Sequence, residues 1–353
     1  MELQEIIGRR LRNARIMRGL SMDQLCNKMD SIVSKMAISK YENGKMNPNS
    51  SVLIAFSEAL DLPVDYFVRP FTLKIESVKF RKRKSNLGVK AEEGIKQNIA
   101  SLTENYMEIE EICNEHVEFT TPFNNQVIRN KEDIYKAATQ LRDFWNLGSD
   151  GIVNVINLLE EHGVKVLEID APLSFDGLSS LVNDRYPVIV INRNFTPERK
   201  RFTSLHELGH IILPFEEDIE EKEEEKFCNC FANEMLVPQT TFKNLIGNHR
   251  TDIAYEEMKA LQIQYGISCD AMMYKAKDTE IISDQRFKTY CIRKNQDRIF
   301  KETVEQSLYP QEESSRYRRL VFKALSSEDI TTSKAAALLN ESVDKVREAL
   351  SIV

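Results

Sequence analysis

The chain has 353 residues, enough for two or three domains that each bury a core. With 42% hydrophobic and 29% charged residues it reads as an ordinary soluble protein, and no apolar run reaches the roughly 18–20 residues that span a bilayer. A net charge of −7 excludes a uniformly basic nucleic-acid binder, so any such partner must be met locally. The charge is in fact uneven. Residues 9–45 hold nine Lys/Arg against three acids, residues 74–90 seven against one, and residues 216–225 eight acids against one lysine. Six scattered cysteines without framework spacing, and no signal-type apolar segment near Met1, lead to an expected cytoplasmic address.

In chain order, residues 1–69 read as a five-helix bundle. The stretch LSMDQLCNKMDSIVSKMAISKYENGKMNP has the grammar of helix, turn and helix. Ser21 caps the first helix with Gln24 as its capping-box partner, and Leu25, Cys26 and Met29 form the inner face. The second helix starts near Ser34 and buries Ile38 and Tyr41, leaving Lys35, Met36, Ser39 and Lys40 outward, where a recognition helix meets a major groove. Gly44 closes it, and Lys45 and Asn47 are placed for phosphates. The pattern IGRRLRNARIMRGLSMDQL…ISKYENGK…DYF, over residues 6–68, resembles the Cro/XRE repressor-type helix-turn-helix family. That resemblance implies a double-stranded DNA operator, bound as a homodimer on paired half-sites, with Ser34 and the six outward residues above as contacts. Met22 and Met36 stand where the family often has Gln, and DSIV lengthens a turn that commonly carries Gly.

Residues 70–130 read as a basic linker and a helical connector. The segment 70–90 alternates apolar and polar residues, with room for a short strand, and its run Arg81–Lys84 offers further backbone phosphate contacts. Apolar residues then return every three or four positions to about residue 160, broken by TTPFNN at 120–125. VKVLEI (164–169) and PVIVIN (187–192) read as strands, with a loop and one further strand between them. Thr196 as N-cap and Pro197 in the first turn open a helix that stops at Pro214, and a second helix over about 219–237 stops at Pro238. The region 284–353 is polar and helical, with two short helices divided at Asn340-Glu341-Ser342 that read as a packing or interaction element.

The chemistry sits in RFTSLHELGHIIL, residues 201–213. On a helix, His206 and His210 lie one turn apart on one face and can reach one ion. Glu207 lies on the flank of that face, where it acts as general base rather than ligand. Gly209 lets another element approach closely. A third ligand should come from the next helix, where Glu225 shares a face with Cys228, Asn229 and Ala232. Glu221, Glu223 and Glu224 are alternative third ligands that lie on other faces, and Cys228 and Cys230 offer a rival thiolate reading that suggests a structural site. The rest of the acidic run 216–225 reads as a solvated face. His116, His162 and His249 read as ordinary polar or capping residues, His249 being the one placed to reach a substrate.

PVIVINRNFTPERKRFTSLHELGHIIL…EEEKFCNCFANEMLVP resembles the ImmA/IrrE family of zinc metallopeptidases over about residues 130–290. The resemblance implies an α+β zincin-like domain, at 131–283, with one zinc held by His206, His210 and Glu225 and with Glu207 as base. Cys228 stands where the family usually has Ala, and Val237 where Met is common. Together the motifs point to a multidomain, mainly α regulator that binds DNA and cuts a protein substrate, either a partner repressor or itself. A zinc-fold sensor without catalysis, or an antitoxin-like autorepressor, would share the same DNA-binding half. No membrane partner is expected.

Overall fold

The computed structural model describes residues 2–71, 88–123 and 126–351, so Arg81–Lys84 and most of segment 70–90 lie outside the described residues. The chain forms two compact units. One comprises Met1–Val117, Val182–Asp184 and Ser315–Val353; the other comprises Glu118–Leu181 and Arg185–Ser314. The architecture is mainly helical with one small mixed sheet, as the sequence pattern predicts.

The first unit opens with α1 (Leu3–Met17), α2 (Met22–Lys28), α3 (Lys35–Glu42), α4 (Ser50–Leu60) and α5 (Val64–Val68). Leu11, Leu25, Ile38, Phe56, Leu60 and Phe67, all fully buried, form its core. Local rules set the helix ends. The Ser21 hydroxyl accepts from Gln24 N (3.1 Å) while Gln24 Oε1 accepts from Ser21 N (2.8 Å), and Ser34 Oγ accepts from Ala37 N at 3.2 Å. The lengthened turn carries Asp30 and Ser31 at φ 50° and 58°, two consecutive left-handed residues without a glycine. Gly44, at φ 62°, falls just past the α3 cap, which is Asn43. Arg15 clamps the end of α3: its Nε and Nη2 meet the two Glu42 carboxylate oxygens at 2.5 and 2.7 Å, and Nη1 donates to the Leu20 carbonyl. Hydrogen bonding to Glu42 raises the Arg15 pKa.

Helix α6 (Val89–Cys113), from the expected connector, and α16 (Arg316–Ser326), α17 (Thr332–Leu339) and α18 (Val343–Ser351), from the expected tail, belong to this same unit. The contact of α6 with α1 is fixed by Arg10, 2% exposed, which donates to Glu104 at 2.7 Å and to the Arg69 and Pro70 carbonyls. A buried, fully bonded guanidinium of this kind selects one packing rather than adding much net stability.

The second unit carries α7 (Lys131–Phe144), α8 (Val155–Glu161), β1 (Lys165–Ile169), β2 (Gly177–Val182), β3 (Tyr186–Asn192), α9 (Pro197–Ile212) and α10 (Glu221–Leu236). After these come α11 (Gln239–Ile246), α12 (Tyr255–Tyr265), α13 (Cys269–Asp278), α14 (Asp284–Gln296) and α15 (Arg298–Glu305). The sheet order is β1-β3-β2, with β1 and β3 parallel in the register Lys165↔Val188 to Ile169↔Asn192. Strand β3 is the central one and is buried from Pro187 to Asn192, as its continuous Val/Ile run requires. At its end the Asn192 amide donates to the carbonyls of Ala171, Pro172 and Phe175, closing the loop that leads into β2. Helix α9 leaves β3 through Thr196, which takes the cap position without a side-chain hydrogen bond, so Pro197 at the first turn does the work expected of both.

Glu42→Ala should leave the Arg15 guanidinium half-buried without its carboxylate and destabilise the unit by about 3–5 kcal/mol, read from the urea midpoint of the full chain. A change below about 1 kcal/mol would show that the clamp is not what holds α3.

Candidate metal centre

Helix α9 packs on α10, on β3 and on α8, so it is covered along much of its length: Leu205, Leu208 and Ile212 are buried, and so are Ser204, His206 and Glu207. Its first turns are fixed by charged residues that are no more exposed than its apolar ones. Glu198 accepts from the Gln262 amide, the Ser307 hydroxyl and the backbone N–H groups of Leu308 and Tyr309. Lys200 meets Glu168 of β1 at 2.7 Å, and Arg201 pairs with Glu312 and donates to the Ile152 and Tyr265 carbonyls. Three charged side chains, each 2% exposed or less, therefore set the rotation and register of the helix before the histidines are reached.

The approach of α10 is permitted by Gly209. A Cβ there would stand 3.3 Å from both Cys228 Sγ and Phe231 Cδ1, tighter than ordinary contact. The two helices thus meet closely enough for one carboxylate to span the histidine pair. Glu225 Oε1 lies 3.1 Å from His210 Nε2, Glu225 Oε2 lies 3.4 Å from His206 Nε2, and the two Nε2 atoms are 3.1 Å apart. Among the described residues His206, His210 and Glu225 form a group whose ligand atoms all lie within 4.8 Å of one another and could hold a metal ion. The donors are two imidazole nitrogens and one carboxylate oxygen, a set that suits zinc.

Two neighbours complete the arrangement, and the sequence pattern did not single them out. Glu224 lies off the ligand face, as expected, yet its Oε1 is 3.0 Å from His210 Nδ1. A carboxylate there holds the Nδ1 proton and so leaves the Nε2 lone pair for an ion. The Ser179 hydroxyl, on β2, donates to Glu207 Oε2 at 2.8 Å. Strand β2 can come this near because it begins at Gly177, where a Cβ would stand 2.7 Å from Thr203 and 2.8 Å from the Val190 carbonyl. Long-range pairs such as these leave no periodic signal in a sequence.

The thiolate alternative gains no support. Neither cysteine of FCNC joins the metal group, and Cys228 Sγ faces His210 on its Nδ1 side at 3.4 Å. Burial, with the Asp278 carboxylate adding, pushes the Cys230 thiol up to about 12, so it stays protonated at neutral pH. His162 stacks on Trp145 with ring centroids 4.4 Å apart, and burial lowers its pKa. His116 sits 3.7 Å from Glu110, and His249 is exposed in a shallow depression beside Arg250 and Asp284. None of the three joins the metal group among the described residues.

On the proposed DNA-reading face, Lys35, Met36, Lys40, Lys45 and Asn47 are exposed, with Met36 at 72%. Ser39 is half-buried, its carbonyl taken by the Asn43 amide, and Lys35 is paired with Asp23 at 2.7 Å.

Fold and site define a helix-turn-helix module carried in one chain with a metallopeptidase-like domain. Residues 11–67 match the helix-turn-helix family, and residues 159–277 match the peptidase family described as the IrrE N-terminal-like domain. The chain carries an XRE-type helix-turn-helix domain at its N-terminus and an IrrE N-terminal-like domain after it. No curated protein matches the chain. No helix of the described residues is long and apolar enough to cross a membrane.

Glu224→Ala should weaken metal affinity by about 10–100-fold in competition with a chromophoric chelator, because His210 loses the partner that fixes its tautomer. Affinity equal to wild type would show that Glu224 plays no part in the centre.

Proposed function

We propose that the chain is a DNA-binding transcriptional regulator whose second domain is a zinc-dependent endopeptidase that cleaves a regulatory protein, either a partner repressor or the chain itself, in response to a signal. The observation that carries this reading is the convergence of His206, His210 and Glu225 on one point, with Glu207 buried beside them on the same helix. Zinc in such a site polarises a peptide carbonyl and activates a water for attack. The chain's own residues supply the rest. Glu207, next to the ligand face, takes the proton from the attacking water and returns it to the leaving amine. The Ser179 hydroxyl, donating to Glu207 Oε2, holds that carboxylate in place beside the ligand face. Glu224 keeps His210 in the tautomer that ligates through Nε2. The burial of His206 and Glu207, each 2% exposed, excludes bulk water from the base.

On the DNA side, α3 enters the major groove with Lys35, Met36, Ser39 and Lys40 toward base edges. Ser34 at its N-terminus, with Lys45 and Asn47 after it, meets phosphates. The support is the exposure of Ser34, Lys35, Met36, Lys40, Lys45 and Asn47, with Ser39 half-buried among them, on a unit whose residues 9–45 are locally basic. We read the chain as a homodimer on paired half-sites. The sequence division at 69, 130 and 283 marks the proposed functional segments: 1–69 for DNA, 131–283 for peptide cleavage.

Purified wild-type protein should hold about one zinc per chain by elemental analysis, and His206→Ala and Glu225→Ala should lose it. Glu207→Gln should retain the metal and lose cleavage of the partner. A wild-type protein that cannot be loaded with zinc would contradict the peptidase reading and leave a DNA-binding sensor. For the other half, Lys45→Ala should weaken operator binding evenly across sequences and reduce the salt slope by about 1. An unchanged slope in a salt titration would remove Lys45 from the interface.

A further inference from the structure

A cavity of about 870 Å³ lies in the second unit, walled by the first turns of α9 and by α10, α13, α14 and α15. None of His206, Glu207, His210 or Glu225 lines it, so it is separate from the place where a peptide would be cut. Its volume falls within the range of small-molecule clefts. One wall is nonetheless shared with the metal centre. Phe202 lines the cavity and stacks on His206, with ring centroids 6.4 Å apart and planes 27° from parallel.

Three features define an occupant. The first is a set of aromatic rings that the fold leaves uncovered. Phe202 from α9 and Phe287 from α14 are half-buried, and Tyr274 from α13 is 39% exposed. Tyr274 and Phe287 meet edge to face at 6.1 Å. Rings from three helices around one opening offer faces and edges to a flat molecule. The second feature is charge. Lys294 is held between Asp270 (2.5 Å) and Glu305 (2.8 Å), and Asp270 also accepts from the Tyr290 hydroxyl. Glu198 accepts from Gln262, Ser307, Leu308 and Tyr309, while Arg199 pairs with Asp176 and lies over the Phe195 ring. The charged groups of the lining are thus matched within the protein, and an ion entering the cavity would give up hydration without gaining a partner. The third feature is a polar group left open. The Asn229 side chain, on α10 one turn after Glu225, is half-buried and lines the cavity, and among the described residues it makes no hydrogen bond to the protein. A carboxamide presents donor and acceptor side by side, and it pairs twice with a group that offers the same two in reverse.

We propose that this cavity is an effector site for an uncharged, flat heteroaromatic molecule with a lactam edge. Its rings lie among Phe202, Tyr274 and Phe287, and its N–H and C=O face the Asn229 carboxamide. Phe202 then touches both the ligand and His206, so an occupied cavity fixes that imidazole before the ion arrives and tightens the metal. The inference supplies the signal of the peptidase reading and rests on that reading for its consequence, while binding is read without turnover.

The test uses the full chain and three probes: quinazolinone, its N-methyl derivative, which lacks the N–H, and quinaldate, which carries a carboxylate. Calorimetric titration should show quinazolinone binding at least about fivefold more tightly than either of the others. Asn229→Ala should remove its advantage over the N-methyl derivative, and Tyr274→Leu should weaken both neutral probes by about two- to fivefold. In competition with a chromophoric chelator, saturating quinazolinone should raise the zinc affinity of the wild-type chain by about threefold or more. The assignment would be overturned by any of four results: no binding of the neutral probes, equal binding of quinaldate, indifference to both substitutions, or a zinc affinity that the probe leaves unchanged. A chain that binds quinazolinone and shifts its zinc affinity yet cuts no peptide would sink the peptidase reading and leave the effector site standing. Cleavage by a chain that binds no probe would do the reverse.

Discussion

The candidate metal centre depends on the close approach of α9 and α10 at Gly209. Two histidines one turn apart present two nitrogens along one line, and a third donor must come from a partner helix at the same height. Gly209 lets Cys228 and Phe231 pack against the α9 backbone, and that contact places Glu225 across both imidazoles. A Cβ at 209 would stand 3.3 Å from Cys228 Sγ and Phe231 Cδ1, so these side chains would have to give by a few tenths of an ångström, and a larger side chain would press on α10 itself. Three groups able to ligate, drawn this close and with His206 almost wholly buried, form a cluster that a cation would stabilise.

Behind that contact stands a set of buried charges on the first turns of the same helix. Glu198, Lys200 and Arg201 each find partners from distant parts of the second unit: Gln262 and residues 307–309, Glu168, and Glu312. Burying such pairs adds little net stability, since desolvation offsets much of the attraction, but a wrong rotation of α9 would strand all three. The histidines one to three turns later inherit their direction from this register. Glu312 extends the tie by accepting from the backbone N–H groups of Val155 and Ile156 at the start of α8, so one carboxylate fixes two helices.

Much of this was legible in the sequence because it is local. The Val/Ile runs gave β1 and β3, the proline positions gave the ends of α9 and α10, and Ser21 with Gln24 gave the start of α2. The histidine pair needed only the helical repeat, and Glu225 was reachable because small residues share its face. What stayed hidden depends on contacts between distant residues. Ser179 reaches Glu207 from a strand 28 residues away in sequence, and nothing in GLSSLV marks it. Glu224 lies off the ligand face, so helical spacing gives no sign of it, whereas its carboxylate reaches the far nitrogen of His210. Thr196 has the right residue type for a cap and makes no cap bond. The inclusion of α6 and α16–α18 in the unit that holds the helix-turn-helix is likewise a matter of tertiary packing, carried by Arg10–Glu104 and by Arg316 with Glu110.

The central claim is that the ion is held by two imidazoles and a carboxylate with no sulfur, although a cysteine stands 3.4 Å from one of those imidazoles. X-ray absorption at the zinc edge of the loaded full-length protein tests it most directly. The account predicts a first shell of nitrogen and oxygen alone at about 2.0–2.2 Å, with the outer-shell signature of two imidazoles. A sulfur scatterer at about 2.3 Å would place Cys228 or Cys230 on the metal and make the centre structural, contradicting the hydrolytic reading.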